Sequence, residues 1–211
     1  MAETYQPSLR AQILTRRTYN RALNEEGTQF ETWAQTVDRV IEHQRWLWKR
    51  QLRRPLNKTQ EAELEELRGL LLARKVGVAG RTLWLGGTEI AKVREACQFN
   101  CAHLEIQTVD DMVDALWLLL QGCGVGVTPK SGGISGFTQP ILDVQIIRST
   151  RQDKNGRETN LETWNPETKE WTISVGDTAE AWAKSVGKLL AGKYTAEKLT
   201  LDFSEIRPAG T

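Results

Sequence analysis

The sequence predicts an α/β protein: a helical N-terminal region over residues 1–78, then an α/β part over residues 79–211 with hairpins at about 141–174. Three observations carry that prediction. Between Glu31 and Leu52 the residues Trp33, Val37, Val40, Ile41, Leu47 and Trp48 recur at helical spacing. After Arg81 the pattern changes to short apolar runs that end in glycines. Between two of those runs, "TVDDMVDALWLLLQGCG" reads as a helix with a cap at each end.

Each element has a local reason. A second helix starts after Asn57, an N-cap with Gln60 three residues on, runs through Leu64, Leu67 and Leu71, and is expected to stop near Gly77. Its acidic start ("EAELEEL") and basic end ("ARK") suit the helix dipole. "TLWLGG" and "HLEIQ" read as short strands. The next helix is capped by Thr108 with Asp111 three positions later and is stopped by Gly122; apolar residues nearly encircle it, which predicts deep burial. "ILDVQII" reads as a strand followed by an Asn155-Gly156 turn, and "TWNPETKEWTI" as a second hairpin opened by Asn165-Pro166. Asp177 is the expected cap of a helix closed by Gly192, and "LTLDF" is the last strand.

Composition excludes some classes. The net charge of +1 over 211 residues is no electrostatic footprint for nucleic acid or a membrane surface. The longest apolar run, Ala115 to Leu120, is far too short to span a bilayer. Three cysteines without a signal peptide argue against a disulfide framework and for a reducing cytoplasm. Eight tryptophans, scattered along the chain, are expected as core or interface anchors, and His43 as surface or core filler.

Two places could carry chemistry. Cys97, Cys101, His103 and Cys123 could in principle hold zinc, but the C-x3-C spacing with one distant Cys is atypical of zinc sites. The other readings are a redox thiol and small buried hydrophobes, the latter favoured for Cys97. "QGCGVGVTPKSGG" offers Gly122, Gly124 and Gly126, where bare backbone can approach a ligand. It fails the P-loop pattern because Pro129 stands where glycine is required, and its glycines follow a helix instead of opening one. A plain helix stop remains the other reading. Asp110, Asp111 and Asp114 suit capping and dipole compensation.

The ordered set "RRTYNRAL", "ETWAQTVDRVI", "RTLWLGGTE", "ACQFNC", "DALWLLLQGCGVGV", "SVGDTAEAW" and "LDFSEIRPAG" resembles the large, catalytic subunit of ribonucleotide reductase over residues 16–211. The adenosylcobalamin-dependent triphosphate-reductase type and its phage relatives are the nearest in appearance. The resemblance implies the first half of an α/β barrel after the helical region. It implies that Cys101, preceded by Asn100, is one thiol of the pair that reduces the ribose. It places Thr82, Asn100, Cys123, Gly124 and Gly126 at the substrate, with Thr82 on the strand before the cysteine. It gives Asp110 and Arg207 to effector binding, Arg207 at the start of the specificity loop. No metal ligand is implied. Adenosylcobalamin is the implied cofactor, bound mainly outside this chain. The implied partners are a ribonucleotide, a deoxynucleotide or ATP effector, a thioredoxin-like reductant and the C-terminal half that carries the radical cysteine. Without that half the chain is expected to be inactive. The alternative is a zinc-stabilised or nucleotide-binding non-catalytic module.

Overall fold

The computed structural model describes residues 6–138, 141, 143–153 and 156–208. The chain divides into two compact units, Met1–Asn100 and Cys101–Thr211.

The first unit is helical. α1 (Leu9–Thr18) is capped by Ser8, α2 (Trp33–Leu52) by Thr32 and α3 (Lys58–Leu72) by Asn57. The last two caps are full capping boxes, with Gln35 and Gln60 reaching back to the cap backbone. Helical spacing puts Val37 and Ile41 of α2 against Leu64 and Leu71 of α3, and Trp33, Trp48 and Leu67 close over them. The Trp33 indole N–H donates to the Leu71 carbonyl at 3.1 Å. α3 ends at Leu72, short of Gly77. Arg74 takes a left-handed φ of 54°, and Lys75 N–H donates to the Leu70 carbonyl, a Schellman-type closure without glycine. The Arg74 guanidinium lies 4.1 Å from the centre of the Trp33 ring, an attraction that offsets the strain.

"TLWLGG" is not a strand. Residues Gly80–Leu85 form a short helix, α4, with Gly86 N–H donating to the Thr82 carbonyl. Leu83 and Leu85 are buried and Trp84 is exposed, so the burial alternates as in a strand although the backbone is helical. α5 (Glu89–Val93) and a 3-10 turn at Glu95–Gln98 complete the unit.

The second unit opens with a β-α-β crossover. β1 (Cys101–Ile106) and β2 (Gly124–Pro129) pair in parallel, joined by α6 (Val109–Leu120). α6 has the expected Thr108–Asp111 capping box, and Gly122 follows it at φ 81°. Burial is shallower than its composition predicts. Val109 and Ala115 are buried, whereas Leu119 is 52% exposed, because the sheet and the next helix cover only part of its circumference.

A second sheet has the order β3 (Asp143–Ile147), β6 (Lys198–Asp202), β5 (Glu170–Ser174), β4 (Leu161–Asn165). β4 and β5 form the expected antiparallel hairpin, in which Asn165 Oδ1 accepts from the N–H groups of Glu167 and Thr168. β3 does not pair with β4 as a first hairpin; its neighbour is β6, in parallel. Asn155 of the expected turn lies outside the described residues. At Gly156 the backbone is closely approached: a Cβ there would stand 2.3 Å from the Glu205 carbonyl oxygen.

β5 reaches β6 through α7 (Ala179–Ala191), whose cap is Thr178 and not Asp177: the Thr178 hydroxyl accepts from Ala181 N–H. Gly187 of α7 faces Val113 of α6, where an added Cβ would stand 2.7 Å from a Val113 methyl. Trp171, Ile173, Val175 and Leu199 form the core of this sheet.

Candidate functional site

Alternation along β1 and β2 decides which side chains meet. In the parallel register Cys101 lies opposite Gly124, His103 opposite Gly126 and Glu105 opposite Thr128. These six residues share one face, and all six are exposed. The other face carries Ala102, Leu104 and Ile106, and Ile106 lines an apolar cavity of about 280 Å³ with Met112, Ala115, Leu116 and Leu119 of α6. The sheet therefore has one apolar side against its helix and one open polar side.

The open side is a trough. Two bare backbone positions, Gly124 and Gly126, form its floor on β2, and the Cys101 thiol and His103 imidazole form its wall on β1. His103 Nε2 is 3.0 Å from the Thr128 hydroxyl, which fixes the ring across the end of the floor. A Cβ on Gly126 would lie 3.6 Å from His103 Cδ2, so the glycine is not required by packing and leaves the floor open. Beyond Thr128, Gln107 links Glu105 to Lys130 by hydrogen bonds of 3.3 and 3.1 Å.

The structure brings Cys101, Gly124 and Gly126 together. Cys101 is the first residue of β1, and exposed Asn100 precedes it at the bend. Cys123 is 3% exposed with its thiol turned to the Gly124 carbonyl, so only its backbone can serve a ligand. Thr82 lies in helix α4 and not on a strand. Cys97 is packed with Leu85 and Ala91, and burial pushes its thiol above the ordinary range, which holds it protonated and inert. Among the described residues no group of three or more His, Cys, Asp or Glu could hold a metal ion, so the zinc alternative has no site among them. No helix among them is long and apolar enough to cross a membrane.

Asp110 and Arg207 are not brought together. α6 and α7 run antiparallel. Asp110 lines a cavity of about 340 Å³ with Val113, Lys184 and Lys188, at the start of α6 and the end of α7. Arg207 lines one of about 310 Å³ with Leu120, Thr178 and Trp182, at the other end of the helix pair. Arg207 Nε donates to Asp177 Oδ2 at 2.7 Å, and its terminal nitrogen to the Asp177 carbonyl. The same segment is anchored by Arg151, which donates to Glu205 Oε2 at 3.0 Å, and by the Ser149 hydroxyl, which donates to the Ile206 carbonyl at 2.6 Å. Asp111 is spent on the cap: it accepts from Gln107 and Thr108, which holds its carboxyl below the usual range. Sequence reasoning missed the His103–Thr128 pair, although the period-two spacing from Cys101 to His103 was its signal. It also missed Asp177 as the partner of Arg207, a pairing between residues 30 apart that no local pattern reveals.

The family model of the ribonucleotide reductase alpha domain matches residues 3–88. An adenosylcobalamin-dependent ribonucleoside-triphosphate reductase from Lactobacillus gasseri is 27% identical, over 94% of this chain and 32% of that protein. The enzyme of the same description from Lactobacillus helveticus is 26% identical with the same coverage. A putative one from Mycobacterium phage D29 is 24% identical, over 94% of this chain and 29% of that protein. In fold, the chain is similar to a crystal structure described as a B12-dependent (class II) ribonucleotide reductase, with a TM-score of 0.72 and 22% identity over 95% of this chain and 33% of that one. The chain thus spans about a third of the length of the relatives it matches.

Proposed function

We propose that this chain belongs to the ribonucleotide reductase family and folds the N-terminal part of a catalytic chain that converts ribonucleotides to deoxyribonucleotides. One observation carries the reading: an exposed thiol, Cys101, stands at the head of a sheet face whose opposite strand offers only bare backbone at Gly124 and Gly126. That is room for a sugar beside a sulfur.

The chemistry asks for such a thiol. Replacing the ribose 2′-hydroxyl by hydrogen, with loss of water, takes two electrons and two protons. Two thiols supply both when they close to a disulfide. On this reading Cys101 is one of the two, and it delivers its proton towards C2′. Cys97 and Cys123 are poor candidates for the second, being buried. The second thiol then belongs to the remaining two thirds of the relatives' length, as does the cysteine that carries the radical. A thioredoxin-like reductant restores the pair. Asn100 lies beside the ribose or its phosphate, Cys123 contributes through its backbone, and Thr82 is a substrate residue of residues 79–100, the lead-in to β1. On this reading residues 79–211, from the helices α4 and α5 onward, belong to the barrel half, and residues 1–78 to the helical region before it. The half-exposed Leu119 and Leu120 suit a fold that continues into further elements.

For the effector, Asp110 and Arg207 belong to separate contacts. Asp110 sits beside Lys184, a cation that suits a deoxynucleotide's or ATP's phosphates, while the neighbouring Lys188 is paired with Glu162. Arg207, paired with Asp177 at the start of the specificity loop, links that loop to α7.

The named relatives depend on adenosylcobalamin. Cavities of about 280 to 340 Å³ within residues 101–211 stand at the lower end of small-ligand sites and are too small for a corrin ring. None of these three cavities fits the cofactor by itself, and no step above runs through it. Complementation tests the reading. The chain is co-expressed with a polypeptide equivalent to the rest of its relatives, and deoxynucleotide formation is assayed with and without adenosylcobalamin. Turnover that needs both polypeptides and is abolished by Cys101→Ser is expected. A folded complex without turnover, or turnover that survives Cys101→Ser, would contradict it.

A further inference from the structure

His103 is the residue of the trough that the reading above leaves without a task. It shares the Cys101 face two residues further along β1, a separation of about 6.6 Å. That is close to the reach from a ribose 2′-carbon to the pairing edge of its base. The ring is not free to swing, because Nε2 is tied to the Thr128 hydroxyl at 3.0 Å. Nδ1 remains for a ligand, as donor or acceptor according to the tautomer. The ring also flanks the open floor at Gly126.

Charge decides which part of a nucleotide can lie there. The next side chain on this face is Glu105, opposite Thr128, and Lys130 sits past it on Gln107. An anion at His103 would face that carboxylate first, which disfavours phosphate. An uncharged base edge carrying N–H and C=O groups meets an imidazole nitrogen and then a carboxylate acceptor, both of which suit it.

We propose that His103, held by Thr128, is a specificity-determining residue that hydrogen-bonds the base of the nucleotide whose ribose lies on Gly124 and Gly126 beside Cys101. The inference rests on the reading given under Proposed function. Its test is isothermal titration of the full 211-residue chain with each of the four ribonucleoside triphosphates and with inorganic triphosphate. The wild-type chain discriminates among the four. His103→Leu weakens the preferred nucleotide by about tenfold and flattens the spread, Thr128→Val does so less, and inorganic triphosphate is unaffected by either. Gly126→Ala weakens all four, and because its Cβ meets only ordinary contact at 3.6 Å, that loss reports the floor and not misfolding. If Gly126→Ala weakens binding but His103→Leu leaves the spread unchanged, or lowers inorganic triphosphate equally, this inference is overturned and the reading of the face stands. A wild-type chain that shows no discrimination overturns it in the same way. If no nucleotide binds, or Gly126→Ala binds as wild type does, the ligand does not lie on this face and both fall.

Discussion

The Glu31–Arg39 network of residues 1–100 and the β1–β2 face of residues 101–211 use their polar groups in opposite ways. In the first unit's network they are used up internally. Glu31 is 8% exposed. Burial alone would raise its carboxyl, but hydrogen bonds from Arg39, the Arg21 N–H and Thr36 outweigh that and hold it below the ordinary range. The Arg39 guanidinium in turn donates to the Tyr19 and Leu83 carbonyls at 3.2 and 3.0 Å and to that of Gly86, tying α2 to α4. In the second unit a thiol, an imidazole and a carboxylate stand in a row on an open sheet face with glycines opposite. The formal charges divide too: 17 Lys and Arg against 12 Asp and Glu in the first unit, 11 against 15 in the second. The near-neutral total hides that split. A polar residue closed into a network is held by the fold, and one left beside bare backbone on an open face is available to a ligand.

Breaking each side of this contrast should give different readouts. The largest loss is expected from Trp171→Ala, which empties the core of the second sheet and costs about 3 to 5 kcal/mol in urea unfolding. Arg39→Ala leaves Glu31 buried without its cation and should cost about 3 kcal/mol, with the loss confined to unfolding of the first unit. Asn57→Ala removes a capping box and should cost about 1 kcal/mol. His103→Leu, on an open face, should leave the unfolding midpoint almost unchanged while changing nucleotide selectivity. A midpoint shift as large as that of Arg39→Ala would place His103 with the structural residues.

A pH series sharpens the contrast further. His43 is 3% exposed, bonded through Nε2 to Gln98 at 3.0 Å and stacked on Trp46. Burial lowers its pKa. Glu95, itself paired with Arg50, and the bond to Gln98 oppose that, while Lys92 and Arg50 add to it. The folded state therefore prefers neutral imidazole. Its contribution is fully present above the unfolded value of about 6.5 and is lost as pH falls towards the lower folded value. Stability of the first unit should decline as pH falls below about 6.5, and His43→Leu should remove that decline. The carboxylates Glu31 and Glu162, held low by Arg39 and by Lys188 with Lys193 against their burial, add a separate loss below about pH 4.5.

The parts of this fold that were legible in the sequence are those settled within a few residues. The capping boxes at Asn57 and Thr108, the Gly122 and Gly192 stops and the β4–β5 hairpin all have their causes inside a single turn. What was illegible depends on distant partners. Leu83 and Leu85 are buried by tertiary packing, so their alternation imitated a strand. Arg74 closes α3 because Trp33, some forty residues earlier, offers its ring. β3 chose β6, which is fifty residues away, over the nearer β4. At the candidate site Cys101, Gly124 and Gly126 were found from composition and resemblance. Their common face came only from the register, and with it His103 and Thr128.

The proposed chemistry requires that Cys101 is oxidised while Cys97 and Cys123 stay reduced. The direct measurement is one turnover by the complemented enzyme in the absence of external reductant, followed by acid quench, alkylation under denaturing conditions and peptide mapping of all three cysteines. Cys101 alone should be protected from alkylation, in a disulfide with a cysteine of the other polypeptide, at one disulfide per deoxynucleotide formed. Product formed while Cys101 remains a free thiol, or a disulfide found instead at Cys97 or Cys123, would contradict it.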